Sequence, residues 1–282
     1  MQGSTRLTSP DTSSPSEDIL FGRGGGVATV VLNRPRALNA FTLGMYRRFD
    51  PMLRAWEKEP MVRAVLVRGA GERAFCAGMD MTTTIPQAQR LARGERLDEE
   101  TFEALRAVGT ATLASFDLGK PLVAAVNGHA RAGGFDLMLA AELRYAVPHA
   151  TFALEEVAIG LYPTGHATVL LPRQIPWVHA QDLLLTARPI DAARAEAIGL
   201  VNAVVEADAL MPTAIATADA IARNAPLAVR ATRDGVRELL ALDLPAAYRR
   251  QEELGRPLRR SEDAREAQRA FVEKRRPVWK SR

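Results

Sequence analysis

Apolar residues in this chain fall into short runs separated by turns rich in glycine and proline. Residues 19–21 and 27–32 read as two strands joined by the glycine-bearing turn at 22–26. That turn feeds a second apolar, β-branched run rather than a helix, so it predicts a hairpin and not a dinucleotide-binding loop. A helical repeat covers residues 43–58, and the continuous apolar run at 64–68 predicts a buried strand, followed by a loop over 69–80. Residues 81–99 carry Thr, Gln, Arg and Glu with no core-facing period and are expected to form a mobile, substrate-facing segment. A helix is expected over 100–116, then a buried strand at 122–126 between Pro121 and Asn127-Gly128, then a helix starting near Gly133. Short strands follow at 143–147 and 151–154. From about residue 178 the pattern is helical, over 178–187, 191–198, 207–224, 226–240 and 244–275. Strands alternating with helices predict an α/β core with parallel strands. No internal repeat is evident. Residues 1–17 are rich in Ser, Thr, Pro and Asp and are expected to be a disordered tail. That leaves a core over 18–205 and a helical region over 206–282.

Composition narrows the class. A chain of 282 residues, 47% hydrophobic and 25% charged, is ample for one large folded domain. No apolar run reaches the roughly 18 residues that span a membrane. The N-terminus lacks the basic-then-apolar layout of a signal peptide. Cys76 is the single cysteine, so no intrachain disulfide can form, which suits a reducing cytoplasm. The formal charge is +4 and the pI near 9.6, carried almost wholly by arginine. Most arginines are interspersed with acids, which points away from nucleic acid. The exception is the C-terminal stretch with Arg249, Arg250, Arg256, Arg259, Arg260, Arg275 and Arg276. It reads either as a solvated helical face or as a surface for anionic phosphate. No His, Cys and Asp spacing suggests a metal.

Two glycine-bearing turns carry the chemistry. One is Phe75-Cys76-Ala77-Gly78-Met79-Asp80; the other runs from Asn127 through Gly133-Gly134 to Asp136, from strand into helix. A helix N-terminus presents unpaired N–H groups with partial positive charge. Two such groups facing one point make an oxyanion hole, although either turn alone is equally an ordinary loop. Asp136 lies three residues past Gly133, on the same side of the first helical turn. Glu156 follows a short strand. A carboxylate pair can share a water, one acid as base and the other as proton donor. Taken singly, Asp136 also fits a dipole-stabilising acid and Glu156 a surface charge. His129 reads as a loop residue. His166 is either packed or substrate-facing. Cys76 has no base beside it.

The ensemble of motifs resembles the enoyl-CoA hydratase/isomerase (crotonase) family. The resemblance covers about residues 18–280. It rests on Asn33-Arg34-Pro35 with Asn39-Ala40-Phe41, on Phe-Cys-Ala-Gly-Met-Asp at 75–80, and on Lys120-Pro121 running to Asn127-Gly128. Further matches are Gly133-Gly134-Phe135-Asp136-Leu137, the segment from Ala150 to Val157, Gly160-Leu161, Leu183 to Thr186, Gly199 to Asn202, and Phe271 to Arg275. The resemblance implies an α/β spiral of repeated β-β-α units with a C-terminal helical region used for assembly and CoA contacts. It implies a homotrimer or homohexamer. It places the thioester oxygen on the N–H groups of Met79 and Gly133. It places CoA near Arg36, Ala37 and Leu38 and along residues 77–80, including Ala77 and Asp80. Phe271 and Lys274 would reach the CoA site, often that of a neighbouring subunit.

Two positions depart from the pattern. Hydratases of the family usually carry glutamate at both acid positions; Glu156 matches and Asp136 is one methylene shorter. Ala132 stands where many members have the first of three glycines. An aspartate paired with a glutamate resembles the family's dienoyl-CoA isomerases. Those add another aspartate near the place where Thr164 stands. The first expectation is therefore hydration of a 2-enoyl-CoA to a 3-hydroxyacyl-CoA, with Glu156 activating water and Asp136 orienting it and helping deliver a proton. The alternative is a double-bond isomerase on an enoyl- or dienoyl-CoA, and the alternative of another class is a non-catalytic binder of RNA or protein. No cofactor is expected, because coenzyme A is part of the substrate.

Overall fold

The computed structural model describes residues 17–282; residues 1–16, where the expected disordered tail falls, lie outside them. The chain opens with a hairpin of β1 (Ile19–Gly24) and β2 (Val27–Leu32), paired antiparallel from Ile19↔Leu32 to Gly24↔Val27. Helix α1 (Leu43–Lys58) starts at Thr42, whose hydroxyl accepts the Met45 N–H, and turns Met45, Tyr46, Phe49, Leu53 and Trp56 into the core. Then come β3 (Ala64–Gly69), β4 (Ala74–Cys76), α2 (Thr84–Ala92), α3 (Glu99–Arg106), α4 (Val108–Ala111), β5 (Leu122–Val126), β6 (His129–Arg131) and α5 (Gly133–Leu139). The next stretch holds β7 (Leu143–Ala146), β8 (Thr151–Ala153), α6 (Ala167–Gln174), α7 (Trp177–Thr186), β9 (Ile190–Asp191), α8 (Ala192–Ala197) and β10 (Ala203–Val204). The chain closes with α9 (Ala207–Arg223), α10 (Pro226–Leu239), α11 (Leu244–Arg259) and α12 (Glu262–Val272).

The strands divide between two sheets, one ordered β1-β2-β3-β5-β7-β10 and the other β4-β6-β8-β9. Each circuit, β3 to β4, β5 to β6 and β7 to β8, adds a parallel strand to both sheets, and that repetition is the spiral. All five residues of β5 are buried, as expected for a parallel strand covered on both faces. Helix α9 packs across β3, β5 and β7.

Where β3 and β5 leave the large sheet, two asparagines staple the loops. Asn127 accepts the Gly69 N–H at 2.9 Å and donates to the carbonyls of Gly71 and Ala74. Asn39 is fully buried and donates to the carbonyls of Ala70 and Ala74. The two glycine-bearing turns are thereby anchored to the sheet end.

Several stretches differ from expectation; the helix expected over 100–116 is two, α3 and α4, ending at Ala111. Residues 81–99 are not irregular: α2 begins because the Asp80 carbonyl accepts the Thr84 and Ile85 N–H groups, and the Thr84 hydroxyl donates to the Phe41 carbonyl. The helix expected over 244–275 is two helices, since Ser261 accepts the Ala264 N–H at 3.0 Å and starts α12 anew. Helix α6 lies in a stretch where no helix was expected. Among the described residues, no helix is long and apolar enough to cross a membrane.

Candidate active site

The first turn is held by Phe41. Its N–H donates to the Gly78 carbonyl at 2.8 Å, and its carbonyl accepts the Asp80 N–H at 2.9 Å. Both bonds go to the neighbours of Met79, so the Met79 N–H points away from Phe41; among the described residues it donates to no backbone carbonyl. Asp80 locks the turn from below. One carboxylate oxygen accepts Arg34 Nη1 at 2.7 Å and the other accepts the Thr82 and Thr83 N–H groups and the Thr82 hydroxyl. Burial alone would raise this carboxyl, but the Thr82 and Arg34 bonds outweigh it and hold it well below the usual carboxylate range. The Asp80 side chain is thus fully engaged within the fold. Its backbone N–H and carbonyl are engaged as well, by Phe41 and by Thr84 and Ile85, so Asp80 shapes the turn expected to meet CoA.

The second turn leads from β6 into α5. Gly133 opens the helix, so its N–H has no intrahelical partner. Gly134 lies flat on the Cys76 carbonyl; a Cβ at that position would overlap the carbonyl oxygen. A Cβ at Gly78 would sit 3.1 Å from the Gly133 nitrogen. The two turns therefore touch, with the free N–H groups of Met79 and Gly133 on adjoining backbone. Ala132, which sets up the turn, has φ 44° and ψ −125°, a conformation that favours glycine. Strain there outweighs the flexibility that glycine adds to the unfolded chain. Ala132→Gly is expected to stabilise by roughly 1 kcal/mol, a rise of about 2 °C in melting temperature. A lower melting temperature would contradict strain at Ala132.

Asp136 sits on the first turn of α5, 3% exposed. One oxygen accepts the His166 N–H at 2.7 Å and the Ala167 N–H at 3.0 Å, at the start of α6. The carboxylate lies against Gly165, where a Cβ would overlap it. Burial pushes the carboxyl up and the two N–H bonds pull it down; burial wins. Of the two adjacent glutamates, Glu155 is exposed and reaches Arg131 at 3.3 Å. Glu156 turns inward, and its Oε2 is buried with no partner among the described residues. Burial raises its pKa first, and the charges of Asp136 and Glu155 add to that. The site thus holds two carboxyls, both shifted toward neutrality.

Tyr46 stacks on Phe41 with ring centroids 4.9 Å apart. Burial pushes its phenol well above the ordinary value, and the charges of Cys76 and Asp136 act the same way. Burial pushes the Cys76 thiol up to about 12, so it is no nucleophile at neutral pH. His129, expected in a loop, begins β6, and its Nδ1 lies 2.7 Å from the Thr151 hydroxyl. Burial lowers the pKa of the His166 imidazole, against the pull of the Thr112 and Leu113 carbonyls. Arg36 and Ala37 form a single 3-10 turn ending at Leu38, whose carbonyl accepts the Ala77 N–H at 3.0 Å. The residues expected to hold CoA from those two segments are brought together. Phe271 is 86% exposed and Lys274 is exposed just past α12, which packs on α11; within one chain both face outward.

Three residues that shape the site escaped the sequence reading of its chemistry. Arg34 was visible only as part of a motif, and neither Gly165 nor Tyr46 carries a signal of its own in the sequence. Among the described residues, no group of three or more His, Cys, Asp or Glu is placed to hold a metal ion.

A family model for enoyl-CoA hydratase/isomerase matches residues 22–282. The chain belongs to the enoyl-CoA hydratase/isomerase family. It is similar to the enoyl-CoA hydratase EchA19 of Mycobacterium tuberculosis, 37% identical over 96% of this chain and 99% of that protein. It is also 37% identical to a carnitinyl-CoA dehydratase of Proteus mirabilis, over 92% of this chain and 96% of that one. A crystal structure of an enoyl-CoA hydratase from Bacillus anthracis superposes with a TM-score of 0.83 at 31% identity, covering 94% of this chain and all of the other. The enoyl-CoA hydratase/isomerase chain therefore has the crotonase fold, its spiral core followed by a helical C-terminal region.

Proposed function

We propose that the protein is a 2-enoyl-CoA hydratase. The observation that carries this reading is the contact between the two turns, which leaves the Met79 and Gly133 N–H groups free beside an inward-facing carboxyl pair. The thioester oxygen accepts both N–H groups. Glu156 takes a proton from water as its oxygen bonds to C3, the C2=C3 π electrons move toward the carbonyl, and the enolate oxygen is stabilised by the two donors. Asp136 orients the water and helps deliver a proton to C2, giving the 3-hydroxyacyl-CoA. Coenzyme A enters as part of the substrate, along residues 36–38 and 77–80. Phe271 and Lys274 of a neighbouring subunit complete its site in a homotrimer or homohexamer. A cytoplasmic location fits this role.

The shorter acid favours one second reading, a double-bond isomerase, in which the same carboxyls move a proton between carbons without adding water. Loss of the enoyl-thioester absorbance of crotonyl-CoA tests the first reading; change in a dienoyl-CoA without gain of water tests the second. The base must be ionised and burial has raised its pKa. The acid limb of kcat/KM is therefore expected to fall with a midpoint above the ordinary carboxylate range. A limb at the ordinary position would contradict that. Asp136→Glu adds a methylene where Gly165 already touches the carboxylate, and turnover is expected to fall at least about tenfold. A rise would show that α6 does not fix the length of this acid.

A further inference from the structure

A second cavity of about 240 Å³ lies at the opposite end of the large sheet. Strands β3 and β5 begin beside it, at Arg63 and Pro121, and end at the catalytic turns. Helix α1 spans the same distance, from Thr42 by the site to Lys58 on the cavity wall, about 24 Å for its sixteen residues. Lys58, Arg63, Lys120 and Arg230 all line the cavity, against one lining carboxylate, Glu57. Arg230 reaches Asp234 at 3.5 Å, but among the described residues Lys58, Arg63 and Lys120 have no carboxylate within ion-pair distance. Among the described residues, Lys120 Nζ finds only the Glu59 carbonyl, at 3.3 Å, and Arg63 Nη1 only the Ala222 carbonyl, at 3.1 Å, while the buried Arg63 Nε has no partner.

The wall also contains the first turn of α10, a fourteen-residue helix whose N-cap, Ala225, provides no side-chain acceptor. Its free N–H groups add partial positive charge to the cation cluster. Burial and then the Arg230 charge lower the Lys120 pKa and outweigh the nearby Glu57 and Glu59 carboxylates, so repulsion remains within the cluster. An anion between these groups relieves that repulsion and takes up their vacant donors.

We propose that this cavity is a second ligand site, for the diphosphate group of a small phosphorylated molecule. With Arg230 paired to Asp234, the three cations Lys58, Arg63 and Lys120 stand against Glu57 and leave about two charges to neutralise, which a diphosphate supplies and a single carboxylate does not. Leu227 and Ile221 give the cavity an apolar side that suits an organic portion of the ligand. The site is independent of the reaction proposed above.

The test is isothermal titration of the full chain with inorganic pyrophosphate and, separately, with adenosine diphosphate. It compares the natural chain with the Lys58→Gln, Arg230→Gln double variant. Both positions are exposed, so the fold and the crotonyl-CoA turnover are expected to stay unchanged. The expected result is a Kd below about 1 mM for at least one probe, weakened at least about tenfold in the double variant. Tighter binding of the nucleotide would assign the apolar side to the organic portion, and equal binding would assign recognition to the phosphates alone. Binding of neither probe at about 10 mM, or binding untouched by the double variant, overturns the proposal.

Discussion

Glu156→Gln is expected to reduce crotonyl-CoA turnover by about a thousandfold while leaving KM within a few fold. The amide keeps the shape of the side chain and cannot take a proton from water. The same change is expected to leave the protein as stable as before, or more so, at neutral pH. Burial raises the folded-state pKa of Glu156 above its unfolded value. Between those two values the folded state binds more protons than the unfolded state, so stability falls as pH rises through that window. The glutamine removes this loss. A stable variant with intact turnover would remove Glu156 from the reaction, whereas a variant that is both inactive and unfolded would make its role structural.

Gly134→Ala is expected to have the second-largest effect. The added Cβ meets the Cys76 carbonyl, which is backbone and cannot rotate away, so the two turns must separate. Losing the alignment of one oxyanion donor costs about a hundredfold to a thousandfold in kcat. Stability should fall as well, because the contact is in the core. Gly133→Ala provides the contrast in stability: its Cβ would meet only the Gly78 Cα, at 3.7 Å, and the melting temperature should hardly change. If Gly134→Ala kept full turnover and stability, the contact between the turns would not be what aligns the donors.

Much of the frame was legible in the sequence because its signals are local. Helix α1 has a cap at Thr42 and a continuous apolar stripe, and its bounds follow from them. Strand β5 is an apolar run between Pro121 and Asn127, and parallel burial makes such runs continuous. What was missed depends on contacts distant in sequence. Helix α6 is eight residues long with a proline inside, and its first N–H groups are satisfied by Asp136, thirty residues earlier. Helix α2 starts on a carbonyl fixed by the Phe41 pairing. No local pattern announces either.

The site divides the same way. The glycines and both acids stood out by type and spacing, but their environment did not. Glu155 leans out toward Arg131 and Glu156 opens a 3-10 turn over Glu156–Ile159, a contact and a turn that the two residue types do not announce. That Asp80 is a structural clamp is decided by Arg34, forty-six residues away. Asp136 is held between α6 and Gly165, which gives the aspartate a positional reason that its side-chain type alone does not supply.

The most direct test of the proposed reaction is the mass of the product formed from crotonyl-CoA by the purified protein. A product heavier by one water, formed by the natural chain and not by Glu156→Gln, is the predicted result. A product of unchanged mass, or no product while a dienoyl-CoA is isomerised, would contradict hydration as the reaction of this site.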